Sequence, residues 1–372
     1  MTVDFTKAVE IQIYDQTSLL QVARIKAYEL FRWTRNYYQN DSFEFRCRRG
    51  VAGCDCLTTS SMIAYYDGVQ VHAGLIEEIQ YDLKPNDEVI ICKGRCVGSV
   101  FRERLALEGV SSGTGYDTQT AVDAESAMRH YVDVNCINAS DASRNIADLQ
   151  LATNQNRGVD ITYSARFDVV HDILETIGYY AGLGWEVVFD RTAKTFTFVV
   201  LQGTDRSANV KFSPKFKNVK NLEYLESLLD SPTVAVVAGD GTDASRTIVT
   251  VTDTDATSSR FSWRETFVDA RDVSGNDELT LRGQSVLDEA GDGITIDVEV
   301  TNNTFLYLDD YDLGDIVTVV YPGVFELQSR IISITGQIDT SGRTLEITVG
   351  TSAKDIVKLV RLASKPTQGA RQ

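Results

Sequence analysis

Histidine is scarce in this sequence: His72, His130 and His171 are the only three in 372 residues. No G-x-S-x-G nucleophile elbow and no H-E-x-x-H zinc helix accompanies them. His171 and Glu175 are four apart, a spacing that suits two metal ligands on one helix face. However, Asp168, Asp172 and Glu175 fall off the apolar stripe of that segment, and a solvated polar face accounts for them better. No catalytic set emerges, and the reading is of a protein that is not an enzyme. Long apolar runs are also missing: none approaches the ~18 residues of a membrane span. The opening "MTVDFTKAVEIQIYDQ" lacks the basic-then-apolar layout of a signal peptide. The expectation is synthesis in the cytosol without export by a cleaved signal. Positive charge is short as well, with 36 Lys+Arg against 53 Asp+Glu and a net charge of −17. Such a field repels phosphate backbones. Nucleic-acid binding is excluded as the main task, which leaves a surface past which nucleic acid slides without sticking.

Metal-binding patterns are weak. Cys47, Cys54 and Cys56 in "CRRGVAGCDC", with Cys92 and Cys96, place five of the six cysteines before Gly109. Their spacings are C-x6-C-x-C and C-x3-C, not the paired C-x2-C that tetrahedral zinc selects. Buried thiols in strands are the favoured reading, and a metal or iron–sulfur cluster at these five is the alternative. "GVSSGTGYD" has the glycines of a phosphate loop but no G-K-[ST] and no preceding strand, so it reads as a linker. "DDYDLGD", Asp309 to Asp315, lacks the residue order and closing Glu of a calcium loop and reads as a turn feeding "IVTVV". "VTDTDATSS" reads as a polar loop.

What the sequence has in quantity is β-pattern. "VEIQIYD" alternates, and "GLIEEIQYDLKPNDEVIICKGR" reads as two strands around a Lys84–Asp87 turn. Residues 1–110 suggest a small antiparallel barrel or sandwich. "SSGTGYDTQT" then reads as a loop. "AVDAESAMRHYVDVN" has Val122, Ala127, Met128 and Tyr131 near one helical stripe. In "ARFDVVHDILETIGYYAGLGW", Phe167, Val170, Leu174 and Ile177 recur at helical spacing until Gly182 and Gly184. A hairpin follows, with strands at Glu186–Asp190 and Thr195–Leu201. From Val210 strands dominate: Val234–Ala238, Arg246–Thr252, Ile294–Val300, Ile316–Tyr321, Gln328–Ile334 and Thr344–Val349. "SAKDIVKLVRLASKPTQGARQ" closes the chain with a short helical or extended piece and a tail expected to fray.

"KAYELFRWTRNYYQNDSFEF", Lys26 to Phe45, is dense in aromatics and could be a ligand strip. Read as a strand, it puts Glu29, Phe31, Trp33, Arg35 and Tyr37 on one face and Tyr28, Leu30, Arg32, Thr34 and Asn36 on the other. "QNDS" turns the chain, and Phe43, Phe45 and Cys47 align on the return strand. Cross-strand aromatic pairs stabilise such a hairpin without a ligand. Each face mixes apolar residues with Arg, so both faces are expected to meet protein, with Trp33, Arg35 and Tyr37 at core or subunit contacts.

The same stretch carries a resemblance. "IQIYDQTSLLQVARIKAYELFRWTRNYYQNDSFEF" resembles the opening of the tail-hub (baseplate-hub) proteins of long-tailed phages, with their "yD…LL…W.R.y…G.Fel" pattern. "NDEVIICKGRCVGSVFRERL" is similar to their "k-G-r-s…l..R" segment. "GLGWEVVFD…FVVLQGTDRSANVKFSPKFKNVKNLEY" resembles their "G-l-G-W…G-x-D-R-S…F-S…N" centre. "WRETFVDARD" and "YDLGDIVTVVYPG…SRIISIT" resemble later landmarks. The likeness runs in order along nearly the whole chain. The cysteines are not part of that pattern, and "PTVAVVAGDG" follows it only loosely.

The resemblance implies a mainly β fold with α+β insertions: two antiparallel β-barrels plus two smaller α+β domains. The boundaries expected are a first barrel at 1–112, an α+β domain at 113–210, a second barrel at 211–236 and 300–352, an inserted α+β domain at 237–299, and a tail at 353–372. It implies a homotrimeric ring in the virion tail tip or baseplate, assembled in the host cytoplasm. The ring would join a distal tail or tail tube protein, and the tape measure protein, to a tail spike or fibre, with DNA as transient cargo of its channel. The landmarks are scaffold motifs and bring no catalytic residue and no cofactor. A tail-associated cell-wall hydrolase and a tail-tip receptor-binding protein are the alternatives.

Overall fold

The computed structural model describes residues 9–84, 87–113, 115–229, 231–253, 260–271, 273, 275–290, 294–301, 304–350 and 356–361. The N-terminal part is strand after strand: β1 (Ile11–Asp15), β2 (Gln21–Ile25), β3 (Leu30–Asn36), β4 (Ser42–Arg48), β5 (Ser61–Tyr66), β6 (Val71–Lys84) and β7 (Asp87–Cys96). The middle is α+β, with α1 (Glu108–Ser111), β8 (Asp117–Asp123), α2 (Ala124–Val132), β9 (Leu149–Leu151), β10 (Asp160–Ala165), α3 (Val170–Ala181), β11 (Gly184–Asp190) and β12 (Thr195–Leu201). After β13 (Lys211–Phe212) and β14 (Val219–Glu226) comes a small unit of β15 (Val234–Ala238), β16 (Ile248–Thr252), β17 (Glu265–Asp269) and α4 (Asn276–Ala290). β18 (Ile294–Val300), β19 (Ile316–Tyr321), β20 (Phe325–Asp339), β21 (Gly342–Val349) and β22 (Ile356–Arg361) complete the order.

The two β-rich regions expected from the sequence flank the α+β centre, but they form one sheet. Its path is β14-β18-β21-β20-β3-β4-β7-β6-β5-β1-β2, with β19 and β22 on β20 and β13 on β19. β20 is long enough to do this. Its C-terminal half pairs β3 from Ser333↔Asn36 to Asp339↔Leu30, and its N-terminal half pairs β19 and β22. Among the described residues no pairing closes the path on itself, so neither half is a barrel closed by strand pairing.

Alternation decides what each strand buries. β3 buries Phe31, Trp33 and Arg35 and turns Leu30, Arg32, Thr34 and Asn36 the other way. One apolar core gathers Ile11, Ile25, Phe31, Trp33, Phe43, Phe45 and Ile90. A second gathers Tyr37, Phe212, Ile296, Val298, Val317, Leu327 and Ile347. The α+β middle packs α2, α3 and the β11–β12 hairpin on Tyr14, Met62 and Ala73, so β1, β5 and β6 are covered from both sides. α4 lies on β15 and β16 through Leu279, Leu287, Val237 and Val251.

The sequence-based elements shift in several places, and Val122 and Phe167, expected on helical stripes, lie in β8 and ahead of α3, Phe167 exposed. β8 is a strand where a loop was expected; it is polar and pairs β10 alone, so alternation does not mark it. α4 is not marked by periodicity within the inserted α+β domain expected at 237–299, because Glu278, Ser285 and Asp288 are buried and blur its apolar stripe. The expected strand at Gln328–Ile334 extends at both ends. The terminal piece is extended at Ile356–Arg361, and the tail beyond lies outside the described residues, as do residues 85–86 of the hairpin turn and most of "VTDTDATSS". No helix among the described residues is long and apolar enough to cross a membrane.

Candidate functional site

Trp33, Arg35 and Tyr37 stand in a row on the inward face of the chain at β3 and just beyond it, and each is less than 4% exposed. They reach three different parts of the chain. Trp33 stacks on Phe43 with centroids 5.4 Å apart and planes 11° apart, and it lies 5.0 Å from the Tyr65 ring. Its Nε1 donates to Asp41 at 3.3 Å. Arg35 Nη1 donates to the Tyr307 hydroxyl at 2.7 Å and to Asp312 Oδ1 at 2.8 Å. Its Nη2 donates to Glu186 Oε2 on β11 at 3.1 Å, where Gln70 Nε2 also donates. The planar fork of arginine permits this: a point cation could not address two carboxylates and a phenol at fixed angles.

Tyr37 locks the other side. Its ring lies where a Cβ on Gly184 or Gly314 would sit, at 2.4 Å and 2.3 Å. Gly314 also has φ of +88°, a conformation that favours glycine. The Tyr37 hydroxyl donates toward Leu201 O at 3.1 Å and Gly182 O at 3.2 Å, and it accepts from Gly203 N at 3.2 Å. The Arg330 guanidinium covers the ring at 5.2 Å. Beside it, Asp315 accepts from Thr204 N at 2.7 Å, Arg206 Nε at 2.6 Å and Asp312 N at 3.0 Å. "FRWTRNYY", "GLGW", "GTDRS" and "DDYDLGD" therefore meet at one buried junction of β3, the α+β middle and the second core.

The junction holds more acid than base. Asp41, Glu186 and Asp312 face the single guanidinium of Arg35, and Asp67 binds His72 at 2.6 Å. Burial pushes Asp41 up to about 6 against the pull of Arg35. Burial also raises Asp67, but the hydrogen bond and charge of His72 outweigh it, leaving that carboxyl below its ordinary value. Asp312 is raised by burial despite Arg35. A general acid or base must reach a substrate atom. Trp33, Arg35, Asp41 and His72 are sealed under protein, so this charge positions chain segments.

The other candidates resolve differently. His171 is fully buried, edge-on to Trp185 at 5.6 Å, while Asp172, expected on a solvated face, is exposed. Burial lowers the basicity of His171, against the hydrogen bond to Asp172. Its Nδ1 lies 3.1 Å from exposed Asp172 and 3.7 Å from Glu175. These three form the one group of at least three possible ligand atoms within 4.8 Å among the described residues. The cysteines form no such group. Cys47 and Cys92 face the first core, where burial pushes both thiols up to about 12. Cys96 leans on Asn40 Oδ1 at 3.7 Å, and Cys54 and Cys56 sit in a short turn. Structural metal and iron–sulfur sites draw three or four ligands to one point, and among the described residues the cysteines supply no such group. The sequence reading missed Asp41, in the turn after β3, and Glu186, Tyr307 and Asp312, which join Arg35 only through tertiary contact; the local signal for Glu186 and Asp312 was the neighbouring glycine, Gly184 and Gly314.

From β14 to β7 the opposite face of the sheet is mainly polar; beyond β7 it runs into Leu75, Met62 and Tyr14 under the α+β middle. One register row runs Glu299, Glu346, Thr335, Thr34, Ser42 and Arg95. Another begins Glu223, Asp297, Thr348. At the β14–β18–β21 end this face is acidic: partial burial and then repulsion from Asp297 and Glu299 raise the Glu346 carboxyl. Toward β7 the signs balance, with Arg95 bound to Glu77 at 2.8 Å and Lys93 to Glu78 at 3.4 Å.

The fold is shared with tail proteins over nearly the whole chain. The 43 kDa tail protein of prophage MuSo2 from Shewanella oneidensis superposes with a TM-score of 0.61 at 13% identity, covering 92% of this chain and 98% of that one. A tail protein from Neisseria meningitidis MC58 gives 0.58 at 13%, covering 92% and 96%. The prophage tail protein gp18 from Listeria monocytogenes EGD-e gives 0.51 at 12%, covering 92% and 95%. No curated protein matches in sequence. The family described as Siphovirus ReqiPepy6 Gp37-like protein matches residues 10–351, and the chain belongs to that family.

Proposed function

We propose that this chain is a structural tail-hub, or baseplate-hub, protein of a virion. Three copies form a ring between the distal tail or tail tube protein, with the tape measure protein, and a spike or fibre below, and the ring lets DNA pass. Family membership and a fold shared with phage tail proteins support the tail assignment. The observation that supports the hub reading is the sheet itself: from β14 to β7 one face is mainly polar, and acidic at the β14 end, above two apolar cores. Such a face needs no partner to cover it, and it repels a phosphate backbone rather than binding it. The two β halves, joined through β20 and β3, would give a threefold ring six β lobes, the number needed to meet a sixfold tube. The chain's sealed polar junction serves scaffolding, and the function is not enzymatic. Imaging of intact particles tests the reading: density for this chain at the tube terminus, in threefold copies around an acidic channel, is expected. A basic channel wall, or a position away from the terminus, overturns it.

A further inference from the structure

Besides β2 and β22 at the margins of the sheet, two strand edges that border its polar part are paired by nothing in the described residues. One is β14, the end of the path. The other is the distal part of β6: β5 pairs β6 only as far as Met62↔Leu75, and from Ile76 to Lys84 β6 has β7 alone beside it. Unpaired edges invite strand addition. These two lie at opposite ends of the run of strands from β14 to β6. A contact between them is heterologous and propagates from copy to copy until it closes.

The side chains match in orientation as well as in edge. On β6, Tyr81 and Leu83 lie on the core side, opposite Ile90 and Glu88, yet they are 54% and 57% exposed among the described residues. On β14, the core side carries Leu222 and Tyr224, opposite Val298 and Ile296, and both are only half-buried at the rim of the second core. Laid edge to edge with like faces aligned, Tyr81 and Leu83 of one copy cover Leu222 and Tyr224 of the next. Glu78 and Gln80 then continue the polar face begun by Asn221 and Glu223. A register slip by one residue would turn Tyr81 and Leu83 onto the acidic face, so the alternation selects the pairing.

We propose that the distal edge of β6 in one copy adds to the β14 edge of a second copy of this chain, and that this joint builds the ring. The proposal rests on the hub reading above and identifies its partner surface. Two variants test it by light scattering after gel filtration, with circular dichroism to verify the fold. Tyr81→Asp/Leu83→Asp alters exposed residues of the β6 edge, and Leu222→Asp/Tyr224→Asp alters the half-buried pair on the β14 edge. Each variant alone is expected to be monomeric at concentrations where the native chain forms rings. An equimolar mixture is expected to stop at one-to-one dimers, because only one competent joint remains. Native rings with variants that assemble equally well overturn the joint and leave the ring reading standing. A native chain that is monomeric at every concentration overturns both. Cross-links in purified tails that run from β6 to a different tail protein, and not to β14, overturn the second copy as occupant.

Discussion

Asp312 accepts a hydrogen bond from Arg35 at 2.8 Å across 277 positions of sequence, and two residues further on Gly314 makes room for the ring of Tyr37. Alternate residues of one extended segment thus hold a single loop by charge and by shape. Arg35→Ala leaves Glu186 and Asp312 facing each other without their cation. Breaking a buried ion pair in this way costs about 3–5 kcal/mol. The Asp312 side chain keeps 44% exposure and can rehydrate, which sets the expectation at the lower end, about 3 kcal/mol. Urea unfolding measures it as a lower midpoint at unchanged slope. Arg35→Lys is expected to recover little, since one ammonium cannot span both carboxylates. A loss well under ~1 kcal/mol would mean that packing alone holds the junction.

Two glycines provide a matched pair. Gly314→Ala adds a methyl 2.3 Å from the Tyr37 ring at a φ of +88°. Backbone strain and overpacking together are expected to cost about 2–4 kcal/mol. Gly336 sits in β20 opposite Trp33 with nothing within 4 Å of an added Cβ. Gly336→Ala is expected to be neutral or to stabilise by about 0.5–1 kcal/mol through lost freedom of the unfolded chain. Melting temperatures of the two variants, measured side by side, check the contrast; equal effects would count against Tyr37 as the wedge.

The hairpin at Phe31–Phe45 was legible because period-two alternation is local: Phe31, Trp33, Arg35 and Tyr37 did share a face. Its environment was not. The sequence placed Arg beside aromatics on both faces and suggested contact with protein on both. Within the chain one face is buried entirely, and on the other Arg32 is exposed and bridged to Gln337. Which acids neutralise Arg35 is set by loops far away in sequence, which no periodicity reports. The hairpin of β11 and β12 was legible for the same reason as β3. α4 was not, since its buried Glu278 is satisfied by Ser164 N at 2.7 Å, a contact invisible in the sequence. That the β regions join through β20 follows from pairing register, not from any residue's own preference.

Thiol chemistry separates buried cysteines from ligands. Cys47, Cys92 and Cys136 sit in apolar surroundings that push their thiols up to about 12, whereas Cys56 is partly exposed. Reactivity follows thiolate fraction and access. Under native conditions at pH 8, an aromatic disulfide reagent is expected to modify Cys56 first, and Cys47, Cys92 and Cys136 only as the protein unfolds in denaturant. Elemental analysis of the same sample is expected to find no stoichiometric zinc or iron. Metal at one equivalent, lost together with rapid exposure of several thiols, would restore the cluster reading.

Acidity gives a test of the junction that depends on sign. Burial raises Asp41 from an ordinary 3.8 to about 6 in the folded chain. A raised carboxyl stabilises the fold in its protonated form, so this contribution is fully present below about pH 4 and is lost as pH rises through about 6. At ~1.4 kcal/mol per unit of difference, the span is on the order of 3 kcal/mol. His171 acts oppositely, since a lowered imidazole costs stability as the solution becomes acidic below its ordinary value. Wild-type stability alone therefore mixes two slopes. The difference between wild type and Asp41→Asn isolates one. The variant keeps the size of the side chain and one acceptor, but it carries no charge to desolvate. Relative to wild type it is expected to gain stability steadily between pH 4 and pH 7 and to level off above. A difference that is flat across that range, measured by urea titration at each pH, would show that the Asp41 carboxyl keeps its ordinary acidity and that the junction bears no buried charge in excess of Arg35.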